Sequence, residues 1–187
     1  METQLVSVEL DNAELDVIEA LLAQKIVAKR MAKPVVRETA SIQELLMGSS
    51  RKEYANALSA GANNFSASAK EALEDFIAKN MTDVKLVFPA TGMKNADIIQ
   101  QEIIDEMTTI KPGREFGYWD IFYEHFPNAA GLVTISRVGM DSKGSIAFIY
   151  LGMHGGCLAG EGCTHILRRS DENWVLTNEC IGSWWIS

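Results

Sequence analysis

Basic residues are scarce in this chain: 17 Lys and Arg stand against 25 Asp and Glu, a formal net charge of −8 over 187 residues. Phosphate recognition needs clustered Lys and Arg, so this balance disfavours nucleic acid and an anionic membrane surface as partners. No apolar run approaches the roughly 20 residues of a membrane span. The start Met1-Glu2-Thr3-Gln4-Leu5 lacks the basic and apolar segments of a secretory signal. That fits a cytoplasmic protein or one whose leader was trimmed. The three cysteines are an odd number, so at least one thiol lies outside any intramolecular disulfide and the compartment stays open. Missing as well are a Gly-x-Ser-x-Gly nucleophile elbow, a standard zinc-ligand spacing and a phosphate-binding glycine loop followed by a helix. No complete catalytic set and no cofactor motif is present.

What the chain does contain is ordinary globular composition, 47% hydrophobic and 22% charged, in a length suited to one domain. We expect a single α+β domain over 1–187: a helical, partly mobile part at 1–66, then helices and an antiparallel sheet at 67–187. Helical spacing of Leu15, Ile18, Leu22 and Ile26 predicts a helix over 11–29, with Asp11 as its N-cap. Val35–Thr39 reads as a short strand, at an edge because Pro34 precedes it. A weak helix is expected near Arg51–Ser59. A stronger one is expected from Ser68 to Asn80, with Ser68 and Glu71 as a capping box and Leu73, Phe76 and Ile77 buried. Val84–Phe88 reads as a strand. Asn95 is expected to cap a helix carrying Ile99, Ile103 and Met107. Phe116, Trp119, Phe122, Tyr123 and Phe126 form one stripe of an aromatic helix over 115–126. Asp120 and Glu124 lie on its solvated side, in a segment acidic enough to contact a basic partner.

After Gly131 the hydrophobic period changes from helical to two. Gly131–Met140 and Ser145–Leu151, joined by Asp141-Ser142-Lys143-Gly144, read as a hairpin. Thr164–Arg169 and Trp174–Cys180, joined by Ser170-Asp171-Glu172-Asn173, read as another. The expected architecture is therefore N-terminal helices covering one face of a C-terminal antiparallel meander of four to five strands. Between the hairpins lies a glycine-dense turn, with five glycines between 152 and 162. Glycine suits positive φ or close approach to something bulky, and here the bulk expected is the Trp184-Trp185 terminus.

Any chemistry is expected in or beside that turn, where Tyr150, His154, Cys157 and His165 are the candidate ligand-binding residues. His154 is three residues before Cys157, close enough for a thiol and a base to meet. Cys163 and His165 share a strand face, which reads as a small cysteine beside a buried histidine. Cys163 and Cys180, each in a strand-like run, are expected to be packed and unreactive, and Cys157 accessible.

The string Gly131-Leu132-Val133-Thr134-Ile135-Ser136-Arg137-Val138-Gly139 resembles a widespread family of uncharacterised bacterial proteins, many of them exported. So do Ala147–Gly152, the Gly160-Glu161-Gly162 turn, Asn173-Trp174 and the closing Trp185-Ile186-Ser187. The aromatic helix before the sheet, with Trp119, Phe122, Tyr123, Phe126 and Pro127, belongs to the same pattern. The resemblance spans about Leu73 to Ser187 and implies no activity. Relatives carry a Cys-Gly-x-Leu-Cys-Gly pattern at the turn, where this chain has Gly155 and Ala159. By analogy of layers, a cystatin- or NTF2-like architecture is a further expectation. Together these features favour a non-enzymatic binding or interaction module for a protein or small-molecule ligand. The alternative is a small-molecule-binding or hydrolytic enzyme with a pocket near 152–163.

Overall fold

The computed structural model describes residues 5–42, 50–109, 117–156 and 159–186, with the side chains of 178 and 182–186 outside the described set. Phe116, Cys157 and the burial of Trp184 and Trp185 therefore lie outside it.

The fold is α+β. In chain order its elements are β1 (Val6–Glu9), α1 (Asn12–Lys29), β2 (Val35–Arg37), β3 (Thr39–Ala40), α2 (Arg51–Gly61) and α3 (Ala67–Lys79). There follow β4 (Val84–Val87), β5 (Asp97–Ile99), α4 (Gln101–Thr108), α5 (Tyr118–His125), β6 (Leu132–Ile135) and β7 (Gly139–Met140). The chain closes with β8 (Ile146–Gly156), β9 (Ala159–Ser170) and β10 (Asn173–Ile186). No described helix is long and apolar enough to cross a membrane.

The expected meander is present, since β8 pairs antiparallel with β6, β7 and β9, and β9 pairs antiparallel with β10. It is one part of a larger mixed sheet, ordered β10-β9-β8-β6-β2-β5, in which β2 runs parallel to both neighbours. A second sheet, β1-β4-β3, comes wholly from the N-terminal half. The purely antiparallel expectation is thus corrected. Val35 and Val36 face opposite clusters and both are fully buried, as a central strand requires, so Pro34 ends at an interior strand and not at an edge. Pro34 stands just before the ladder, where its carbonyl accepts Asp97 N–H at 3.0 Å.

Helices cover both faces of the large sheet, correcting the one-face expectation. Ile146 through Leu151 are buried without alternation, because odd positions of β8 join α1 and the small sheet in one cluster. The even positions join α2 and α3 in another. A third cluster packs α4 and α5 against Val35, Ile99 and Leu132. Ile99 thereby belongs to strand β5, and the following helix starts after Gln100. Asn95, expected as that helix's cap, instead donates from Nδ2 to Glu19 at 2.8 Å.

Capping sets the helix starts. Asp11 Oδ1 accepts Glu14 N–H at 2.8 Å, as expected. Ser50 and Glu53 form a reciprocal box at α2. At α3 the cap is Ser66, two residues before the expected Ser68, accepting Ala69 N–H at 3.2 Å. The buried face of α1 is Glu14, Val17, Ile18, Leu21 and Leu22, rotated from the expected stripe. Glu14, 1% exposed, holds that rotation through a bidentate pair with Arg137 at 2.8 and 2.9 Å. Arg137 sits in the break between β6 and β7. Its N–H donates to Asn80 Oδ1 at 2.9 Å, and Asn80 Nδ2 returns a bond to its carbonyl at 3.1 Å. Gly139 closes the same junction, since a Cβ there would overlap the Phe76 backbone.

Candidate functional site

The glycine-dense stretch is strand, not an irregular turn. The ladder continues to Gly152↔Gly162, Met153↔Glu161, His154↔Gly160 and Gly156↔Ala159, leaving only 157–158 between the strands. A Cβ at Gly155 or Gly156 would meet only ordinary contacts, and the close approach to this ribbon is made from the facing strand's entry. A Cβ on Gly131 would overlap the His154 carbonyl, and Tyr123 of α5 donates its hydroxyl to the Gly155 carbonyl at 2.9 Å. The aromatic helix thus pins the far end of the β8–β9 ribbon through its phenol, while Ile121 and Phe122 bury into the core. Trp185 stands opposite Gly162 in the β10 register.

The candidate residues divide between the two faces. Tyr150 is fully buried in the cluster with Phe76 and Phe148. His154, half-buried, follows on that face by strand alternation, opposite Leu132. His165 is on the other face, opposite Ile149 of the α1-side cluster. Tyr150 and His154 are therefore brought to one side and His165 to the opposite one, with the sheet backbone between them; Cys157 lies outside the described residues.

Around His165 the structure assembles a cluster that sequence spacing alone does not reveal. His165 is 7% exposed, and its Nδ1 lies 3.8 Å from Cys163 Sγ. Burial, reinforced by the charges of Lys25 and Lys29 on α1, pushes the imidazole down to about 3, so the ring is neutral in the folded protein. Glu161, two residues before Cys163 on the same face, forms an ion pair with Lys29. Lys25 is itself lowered by burial, against an opposing contribution from Glu161.

Cys163 and Cys180 are joined as a disulfide, Cα–Cα 6.0 Å. This corrects the expectation of two packed free thiols, and Cys180 is exposed. The hairpin register running from Asn173↔Ser170 to Leu176↔Leu167, continued unbroken, would set Cys180 directly opposite Cys163. The shift after Leu176 sets it opposite His165, still diagonal to Cys163. The bulge carries no signal in the sequence, but the symmetric placement of the two cysteines about the Ser170-Asp171-Glu172-Asn173 turn does signal the pair.

Two further features escaped sequence reading. Gln24 of α1 mimics a neighbouring strand at the outer strand β10: its amide donates to the Trp174 carbonyl at 3.0 Å and accepts Leu176 N–H at 2.9 Å. On the opposite face a cavity lined by Ile42, Arg51, Tyr54, Leu58, Phe76 and Asn80 has a free volume of about 10 Å3, room for about one water. Beside it Tyr54 and Thr164 share a hydrogen bond of 3.1 Å, and burial raises the phenol's pKa. Among the described residues no three or more His, Cys, Asp or Glu side chains gather as metal ligands. Comparison with family models, with curated proteins and with solved structures finds no match in any of the three.

Proposed function

We propose that this protein is a non-enzymatic binding or interaction module whose recognition element is the long β8–β9–β10 ribbon. The observation that carries the reading is the division of the ribbon's described reactive groups between two faces. Acid–base or nucleophilic catalysis needs donor, acceptor and nucleophile within hydrogen-bond reach of one another. Tyr150 and His154 on one face cannot meet His165 and Cys163 on the other. The ribbon's outer strand suits a binding role. Among the described residues β10 is the longest strand and ends the sheet, and Gln24 bonds to its outer side at Trp174 and Leu176. An extended segment of a partner protein could pair with the portion beyond, in the manner of strand addition.

The motif order from Leu73 to Ser187 supports, as part of this proposal, membership of the uncharacterised bacterial family with exported members. The disulfide supports an oxidising compartment, where such bonds persist. Native mass spectrometry of protein recovered from its own host, followed by hydrogen exchange on the complex, tests the function. A stoichiometric protein partner that protects amides 177–181 is the expected result. A bound small molecule that protects 150–155 and is consumed on incubation would overturn it in favour of the enzyme alternative.

A further inference from the structure

The surroundings of the Cys163–Cys180 disulfide differ between its two sulfurs. Cys180 is an exposed residue on the outermost strand, while Cys163 is half-buried one strand inward. Cys163 Sγ lies 3.8 Å from His165 Nδ1 and 3.5 Å from the Thr164 carbonyl. Lys25 and Lys29 on α1 both act electrostatically on the His165 ring, and Glu161, paired with Lys29, stands on the same face of β9. The inner sulfur therefore has the His165 imidazole beside it, on the face where Lys25 and Lys29 act on that ring, and solvent meets the outer residue. Such an arrangement favours attack at the outer sulfur and departure of the inner one, because a thiolate leaves faster when nearby positive charge lowers its pKa.

We propose that the Cys163–Cys180 disulfide is a thiol-exchange site for a solvent-borne thiol of the glutathione type, with Cys180 the sulfur attacked and Cys163 the sulfur that leaves. The thiolate of the incoming molecule forms a bond to Cys180 Sγ. The Cys163–Cys180 bond breaks and its electron pair passes to Cys163 Sγ, which leaves as a thiolate beside His165, on the face where Lys25 and Lys29 act. A second thiolate then attacks the sulfur of the first molecule, releasing Cys180 as a thiolate. Two thiols become one disulfide, and the protein gains two electrons and, once both thiolates take up solvent protons, two hydrogens. Reduction also removes the covalent tie holding β10 to β9 beyond the register shift at Leu176. This site does not rest on the binding proposal, and its test uses the protein alone, with no partner on β10.

The test uses the full chain with Cys157→Ser, so that only Cys163 and Cys180 carry sulfur chemistry, and glutathione as the probe. The oxidised protein is incubated without denaturant, quenched at intervals with acid and mapped by mass spectrometry. The first mixed disulfide is expected on Cys180. Lys25→Gln and Lys29→Gln should each slow its formation severalfold, because each raises the pKa of the leaving thiol. Lys25→Arg should restore the rate, and Glu161→Gln should raise it. In the reduced protein the pH midpoint for alkylating Cys163 should rise in the two glutamine variants of lysine and fall in Glu161→Gln. Should a lysine variant fail to fold, the Arg and Glu161 variants still decide the sign. A first adduct on Cys163, exchange only in denaturant, or rates indifferent to all these charges would overturn the proposal.

Discussion

Replacing His165 with Asn should flatten the acid limb of this protein's stability curve. The native imidazole is held at about 3 by burial and by Lys25 and Lys29, whereas an unfolded histidine titrates near about 6.5. Protonation therefore favours the unfolded chain. The histidine's contribution is fully favourable above its unfolded pKa, and it is lost as pH falls from there toward the folded value. Each pH unit in that window corresponds to about 1.4 kcal/mol. From about pH 6.5 to about pH 5 the wild type should lose roughly 2 kcal/mol through this one group, before most carboxylates begin to titrate. For a domain of this size that is a fall of about 4–8 °C in melting midpoint. The charges facing the ring are Lys25 and Lys29, which oppose protonation, and Glu161, bound to Lys29. Urea titrations of both proteins across the window give the double difference directly. Parallel stability–pH lines for wild type and His165→Asn would refute the reasoning, because they would mean that the imidazole is hydrated in the native state.

Glu14→Ala should destabilise the fold by about 3–5 kcal/mol, because it strands the Arg137 guanidinium that now makes two bonds to a carboxylate 1% exposed. Chemical denaturation measures it, and a loss under about 1 kcal/mol, the worth of a surface pair, would contradict the burial argument. Gly139→Ala should shift β7 away from α3, since the added carbon meets Phe76 backbone and not a movable side-chain end. A cost of about 1–3 kcal/mol is expected from thermal melts, and an unchanged midpoint would show that the junction yields. Gln24→Ala should expose the β10 edge at Trp174 and Leu176 and promote edge-to-edge association. Light scattering should detect dimers or larger species, and a strictly monomeric variant would mean that the edge is protected by other means.

Local signals determined much of this protein. Asp11 announced the start of α1 by the same bond the structure shows, and period-two alternation with Asp141-Ser142-Lys143-Gly144 located the hairpin at β7 and β8. Those features rest on interactions between residues a few positions apart, and such interactions are written in residue order. The mixed sheet was not so written. Val35-Val36-Arg37 is too short to show a period, and its place between β5 and β6 depends on apolar layers arriving on both faces from distant parts of the chain. Glu14, in the first turn of α1, is a buried partner for Arg137, 123 positions away. The histidine cluster divides in the same manner. Alternation alone set Cys163 and His165 on one strand face. The register about the 170–173 turn already brings Cys180 to Cys163. The bulge that sets Cys180 opposite His165, and the packing of α1 that brings Lys25 and Lys29 to the ring, come only from the tertiary structure. A register shift and a helix docking are settled by the sum of many weak long-range contacts, so no short stretch of sequence contains them.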